Sequence, residues 1–173
     1  DYRPDVVGLK LWNGDGYSGS IRIAREVRAA VPETFIIGGG PHVDYFGRHI
    51  LDHTDALDAL LAGEGEAALP RLVDAVSAGD DWRQVGGLIY RENGVVHRNP
   101  PEAPASLNEL SLPVYDPEVY PALRGDQKIK IGVIDESRGC PNRCAFCIHP
   151  VKSGGEWRLK SASRTVAEMR RMM

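Results

Sequence analysis

The 173-residue sequence predicts an α/β protein: an open parallel sheet covered by helices on both faces, followed by the start of a second α/β module. Three observations lead there. Short apolar runs rich in β-branched residues alternate with amphipathic helical stretches, glycine-rich turns close the early strands, and a proline-rich stretch interrupts the pattern before a new strand begins. Strand–helix–strand alternation calls for right-handed crossovers and hence parallel strands.

The elements follow in order. Asp5–Leu11 (DVVGLKL) reads as a buried strand ended by the turn-formers NGDG. In SIRIAREVRAAVP, Ile23, Val27 and Ala30/Val31 share one helical face while Arg22, Arg25, Glu26 and Arg28 face elsewhere, and Pro32 stops the helix. Thr34–Gly38 is a second strand running into Gly39-Gly40-Pro41-His42. A helix is expected over Asp44–Leu51, and Ala56–Ala62 (ALDALLA) is a third strand, with helix as the alternative on propensity. It ends in Gly63-Glu64-Gly65-Glu66. From Glu66 a helix aligns Leu69, Leu72/Val73 and Val76, takes Pro70 in its first turn and finds a C-terminal glycine at Gly79. Leu88–Glu92 and Val95–Arg98 flank Asn93-Gly94, the two-residue loop of a hairpin. This order gives residues 1–98 a Rossmann-like (flavodoxin-like) fold.

Residues 99–125 hold six of the chain's 12 prolines and read as a linker packed over a surface, since Leu107, Leu110, Leu112, Val114 and Tyr115 would otherwise lie in water. Residues 126–173 form the second module. Ile129, Ile131 and Val133 alternate as its first strand, and Thr165 and Glu168 have capping-box spacing near the start of a last helix. Val166, Met169 and Met173 share a stripe of that helix that reads as core. The chain begins without Met directly before a strand and stops inside a helix at MRRMM, so it reads as a piece of a longer protein.

Charge separates the two modules. Residues 1–120 carry 10 Lys+Arg against 19 Asp+Glu, whereas 121–173 carry 11 against 5. The basic charges are scattered without interleaved aromatics, so a nucleic-acid partner is not expected. No apolar run approaches the roughly 18 residues that cross a bilayer, and no signal peptide opens the chain; a cytoplasmic protein without a membrane partner is expected.

All three cysteines lie in SRGCPNRCAFC, residues 137–147. An odd number of thiols crowded into one loop makes a poor disulfide framework and suits a reducing compartment and a metal. Structural zinc takes four Cys or His ligands, usually in pairs. Here three thiolates stand together, and His149 would have to fold back sharply to join them. Spacings of three and two residues let one loop wrap three corners of an iron–sulfur cubane and leave the fourth iron open. A zinc-holding, non-catalytic module is the rival reading. His49 and His53 are spaced for a metal on a helix but lack a third ligand, and read as surface residues. Gly14, Gly16 and Gly19 spell GxGxxG after a strand, yet the next strand ends in glycines and not in the acidic residue a nicotinamide dinucleotide requires; loop-forming glycines are the simpler reading.

CxxxCxxC with an aromatic before its last cysteine, following a strand and preceding a helix, resembles the radical S-adenosylmethionine (SAM) enzymes. The lead-in Ser137, Arg138, Gly139 and Pro141 resembles that of their cobalamin-associated members. The resemblance implies that Cys140, Cys144 and Cys147 bind a 4Fe-4S cluster, that SAM chelates the open iron, and that Phe146 lies by its adenine. Trp157, Arg158 and Ser161 match the entry to the first helix of the partial (β/α) barrel that the resemblance implies for residues 126–173. Upstream, DVVGL, a helix, FIIGGGPH, a strand and GEGE are similar to the cobalamin (B12)-binding domain that precedes such barrels. Carried over, Gly38, Gly39, Gly40 and His42 lie along the cobalamin nucleotide tail, with Gly63, Glu64 and Gly65 in a neighbouring loop. The DxHxxG motif that gives cobalt a histidine is absent, and Lys10 stands where the family often has Ser. The function implied is reductive cleavage of SAM to a 5′-deoxyadenosyl radical with cobalamin-dependent methyl transfer to an unactivated carbon; the rival enzyme reading is a radical SAM cyclase or oxidoreductase that keeps the cobalamin fold. A small-molecule or natural-product substrate and an external electron donor of flavodoxin or ferredoxin type are the implied partners.

Overall fold

The computed structural model describes residues 3–12, 14–102, 106–114, 133–147 and 155–172. The chain forms two compact units, Asp1–Pro104 and Ala105–Met173.

The first unit is built on a five-stranded sheet of order β1-β2-β3-β4-β5. β1 (Val6–Lys10), β2 (Phe35–Gly39) and β3 (Ala59–Leu61) run parallel, with Gly8 opposite Ile37 and Gly38 opposite Leu60. β4 (Leu88–Glu92) and β5 (Val95–Arg98) extend the sheet as an antiparallel hairpin. Its tip is the expected Asn93-Gly94 turn, with φ of 49° and 79°, the left-handed pair that matches strand twist.

Strands added in one direction through right-handed crossovers put successive helices on one face. α1 (Asp15–Ala30) and α2 (Pro41–Asp52) therefore share a face, where Ile21, Ala24, Val43, Ile50 and Leu51 pack on Ile36, Leu60 and Ile89. α3 (Gly65–Ala78) and a short 3-10 turn at Trp82–Gln84 cover the other, where Ala68, Leu72 and Val85 meet Ile37, Ala59, Leu61, Leu88 and Tyr90. The alternation Ile36/Ile37, Leu60/Leu61 and Leu88/Ile89 sends one side chain to each core, as strand pleating requires. The segment ALDALLA, ambiguous by propensity, is strand because its last residues complete the sheet between β2 and β4.

Helix ends differ from expectation where local chemistry decides. α1 begins at Asp15, so Gly16 and Gly19 are helical and only Gly14 (φ 63°) is a turn glycine. α2 starts at Pro41, whose fixed φ suits the first helical position. α3 starts at Gly65, which moves Pro70 into its second turn, and it ends on left-handed Gly79 with Asp80 N–H bonded to Ala75 O. At the amino-terminal edge of the sheet, Arg28 donates to the carbonyls of Pro32 and Thr34 and to Asp58 Oδ2 (2.5 Å), which also accepts Ile36 N–H (2.7 Å).

In the second unit β6 (Ser137–Gly139) pairs antiparallel with β7 (Trp157–Leu159), Ser137 opposite Leu159 and Gly139 opposite Trp157. α4 (Ala162–Met172) follows. The strand expected over Ile129–Val133 lies, except for Val133, outside the described residues, as do His149 and Tyr115. The capping box at Thr165 and Glu168 is overturned. Ser161 caps α4, its Oγ accepting Arg164 N–H (3.2 Å), while Glu168 is buried in an ion cluster. Val166 and Met169 are exposed, not core.

Candidate functional site

Because β1, β2 and β3 are parallel, the turns that follow them gather at one edge of the sheet, where open α/β sheets bind ligands. Lys10 ends β1, and its ammonium lies 4.8 Å from the Trp12 ring centre. Its carbonyl accepts the Ser20 hydroxyl at 2.9 Å. The glycines that follow β2 have three different reasons. A Cβ on Gly38 would come within 2.6 Å of Leu60 Cδ2 and 2.7 Å of Leu11 Cδ1, both side chains fully buried, so Gly38 is required by the core. Gly40 adopts φ 110° beside Leu11 O, a conformation that excludes side chains. Gly39 meets neither demand: its φ is ordinary, and an added Cβ would meet only Leu61 O at 3.8 Å. The fold does not need glycine there, and the opening lets a ligand approach the backbone.

His42 sits in the first turn of α2 between the rings of Tyr17 (5.0 Å) and Phe46 (4.8 Å). Trp12 and Phe46 are each 50% exposed, large apolar rings presented to solvent at the strand tips. Asp44 Oδ1 accepts Gly63 N–H at 2.7 Å and ties the turn after β2 to the turn after β3. Gly63 is left-handed (φ 83°) with open space around it, Glu64 is the extended residue before α3, and Gly65 opens that helix against Leu61. The amino ends of α2 and α3 thus face this edge, and neither has a side-chain cap. The helix dipole at these two ends suits an anionic group such as a phosphate. Open glycine backbone, exposed rings and two helix amino ends fit a ligand that joins a broad apolar ring system to a phosphate-bearing tail, as cobalamin does.

Trp12, Tyr17, Asp44 and Phe46 were not singled out by sequence reasoning. The spacing of His42 and Phe46, four apart, is a signal that could have found Phe46; Trp12, Tyr17 and Asp44 carried none.

In the second unit β6 hands the chain through Gly139 (φ 92°) to Cys140, which is half-buried, as is Cys147; Cys144 is exposed. Cys147 N–H bonds to Cys144 O at 3.0 Å, so the last two cysteines share one turn. Phe146 is 90% exposed between them. Among the described residues no three His, Cys, Asp or Glu side chains are close enough to form a metal-binding group: the loop carries the three thiols without drawing them together. The donor set nevertheless fits one group well. Three thiolates on one short loop, with no fourth Cys or His among the described residues beside them, suit a cluster whose remaining metal takes an external ligand. His49 and His53 are exposed, with ring centres 4.0 Å apart and no third ligand among the described residues. Among the described residues no helix is long and apolar enough to cross a membrane.

Residues 1–73 match the family described as the B12 binding domain. Over 169 residues the chain is 32% identical to an uncharacterized methyltransferase of Pyrococcus horikoshii, an alignment covering 97% of this chain and 36% of the relative. Its fold is similar to that of the radical SAM methyltransferase TsrM from Kitasatospora setae, solved with cobalamin and a 4Fe-4S cluster (TM-score 0.71, 21% identity, 98% of this chain and 35% of that one). It is also similar to the cobalamin-dependent SAM radical enzyme OxsB with aqua-cobalamin and SAM bound (TM-score 0.77, 23% identity, 98% and 23%). The chain spans 36%, 33% and 25% of the length of three curated relatives it matches.

Proposed function

We propose, from the premise that residues 1–73 are a B12-binding domain and that the chain as a whole is a relative of cobalamin-dependent radical SAM methyltransferases, that it is the cofactor-binding portion of such an enzyme. The substrate class is a small molecule whose acceptor carbon is unactivated, and the electron comes from an external low-potential protein carrier. The observation that carries this reading is the pairing of a cysteine loop with only three ligands and an α/β sheet whose strand tips are open and aromatic.

The roles divide by unit. Cys140, Cys144 and Cys147 hold the 4Fe-4S cluster, and Phe146, already facing solvent, offers its ring to the adenine of SAM. In the first unit Gly39 and Gly63 leave backbone open to cobalamin, His42, Trp12 and Phe46 supply ring surface, and the amino ends of α2 and α3 receive its phosphate. When bound, these cofactors would supply a 5′-deoxyadenosyl radical to activate the acceptor and a carrier for the methyl group. The chain's own contribution is placement, exclusion of water and control of cluster potential through hydrogen bonds and burial.

The test is anaerobic preparation of the full-length protein, metal and sulfide analysis, and product analysis after turnover. About four irons and four sulfides per chain, cobalamin at one equivalent, and S-adenosylhomocysteine with 5′-deoxyadenosine are expected. Stoichiometric zinc without iron overturns the enzyme reading. Deoxyadenosine without S-adenosylhomocysteine replaces methyl transfer by a ring-forming or oxidative reaction.

A further inference from the structure

The second unit buries an ion cluster that the cofactor chemistry does not use. Glu168 on α4 is 3% exposed, and both its oxygens accept from Lys160 Nζ, at 2.9 and 2.8 Å; Lys160 is itself 6% exposed. Arg164 Nε donates to Glu168 Oε1 at 3.1 Å. The far end of the same guanidinium donates to the carbonyls of Asn108 and Leu110, and Asn108 Oδ1 accepts Ser161 N–H at 2.8 Å. Lys160 and α4 meet on this carboxylate, and Arg164 links it to the Asn108–Leu110 segment.

Taking charges out of water is costly, and buried ion pairs exchanged for apolar residues of similar size are often neutral or stabilising, so stability alone does not account for this arrangement. Its place in the chain offers another reason. Lys160 directly follows β7, and its N–H bonds to Glu136 O at 2.8 Å, next to the start of β6. Beyond the other end of that short pairing, Gly139 opposite Trp157, the chain leaves for Cys140 and the rest of the cysteine loop. β6 and β7 pair through only three residues each, and so short a ladder specifies register weakly unless something else fixes it.

We propose that Glu168, held by Lys160 and Arg164, is a positioning residue for the cysteine loop: it fixes the register of β7 on β6 and so sets where Cys140 stands relative to Cys144 and Cys147. This rests on the reading of those cysteines as metal ligands. Residues that orient ligands from behind cost metal affinity when removed, commonly 10- to 100-fold.

Full-length Glu168→Gln protein is compared with the parent in three measurements: circular dichroism, cadmium(II) titration of the metal-free reduced protein followed by thiolate absorption, and iron content with the electron paramagnetic resonance spectrum of the reduced cluster. Expected are a native circular dichroism spectrum, cadmium binding weakened about 10-fold or more, less iron, and a broadened resonance. Unchanged cadmium affinity and an unchanged resonance in the folded variant overturn the inference. Should Glu168→Gln fail to fold, Lys160→Met/Glu168→Leu, which removes that ion pair and leaves Arg164 on the carbonyls of Asn108 and Leu110, takes its place: weakened cadmium binding supports the proposal, and native cadmium binding overturns it. A parent protein that takes up no iron, yet loses cadmium affinity on the same substitution, sinks the cluster reading while leaving the positioning role standing.

Discussion

Neighbouring glycines at the end of β2 should respond in opposite ways to one methyl group. Alanine at residue 38 would set a carbon 2.6 Å from Leu60 Cδ2 and 2.7 Å from Leu11 Cδ1, where carbon contacts settle at about 3.5–4.0 Å. Each leucine must yield by about 1 Å. Both are side-chain ends, which elsewhere could turn aside, but both are fully buried and have nowhere to go. Overpacking of this kind costs about 1–3 kcal/mol, offset by about 0.4–1 kcal/mol from the stiffer unfolded chain, for a net loss of about 1–2 kcal/mol. In a unit of about 100 residues that lowers the unfolding midpoint by roughly 5–10 °C. Alanine at residue 39 meets only Leu61 O at 3.8 Å with no unusual φ, so Gly39→Ala should unfold within about 0.5 kcal/mol of the parent. The effects on cobalamin should be reversed: Gly39→Ala puts a methyl group on the open backbone and weakens binding, while folded Gly38→Ala retains it. Urea unfolding followed by circular dichroism, with cobalamin titration by absorbance, measures both. A Gly38→Ala protein as stable as the parent, or a Gly39→Ala protein that loses more than about 1 kcal/mol, would refute the assignment of one glycine to the core and the other to the ligand edge.

Three further outcomes are expected. The Lys160 hydrogen bond, opposed by burial and aided by Arg164, holds the Glu168 carboxyl below its ordinary 4.5; the group's contribution is complete above that pH and is lost as pH falls through the lowered value, so the protection factors of α4 amides, exchange rates divided into the intrinsic rate at each pH, should fall below pH 4.5 and lose this dependence in Glu168→Gln. Asp58→Ala should cost about 1–3 kcal/mol in urea unfolding by stranding Ile36 N–H and leaving Arg28 only its carbonyl partners, whereas Asp58→Asn, which keeps the acceptor and loses a partly exposed ion pair, should cost under about 1 kcal/mol. Phe46→Ser, at a half-exposed ring, should leave unfolding unchanged within about 0.5 kcal/mol yet weaken cobalamin binding about threefold to tenfold if the ring packs on the ligand.

The first unit was legible where short-range chemistry decides. Asn93-Gly94 fixed its hairpin to the residue, Gly79 fixed the end of α3, and the apolar runs marked β1 and β2 within one position. β3 was ambiguous because its residues favour helix locally and become strand only by pairing between β2 and β4. The cysteines, through their spacing, their aromatic and their lead-in, marked a candidate metal loop, and GGG drew attention to a turn in which each glycine serves a different purpose. The aromatic edge was hidden because Tyr17 reaches His42 and Phe46 from a helix far away in sequence. The pairing of Arg164 with Glu168 could be read from their spacing of four; the larger role of Glu168 could not, because Lys160 reaches it from the end of a strand and Arg164 reaches on to the carbonyls of a separate segment.

Any attempt to attach a tag or fluorophore within the first unit is constrained by the bond from Gly63 N–H to Asp44. Lengthening the Ala62–Glu64 turn by even one residue would pull that amide from its acceptor and untie the turns after β2 and β3. Asn93 and Gly94, exposed at the far corner of the hairpin, carry no such tether. Foreign sequence belongs there, where an added loop adds only its own entropy of closure, which grows slowly with length.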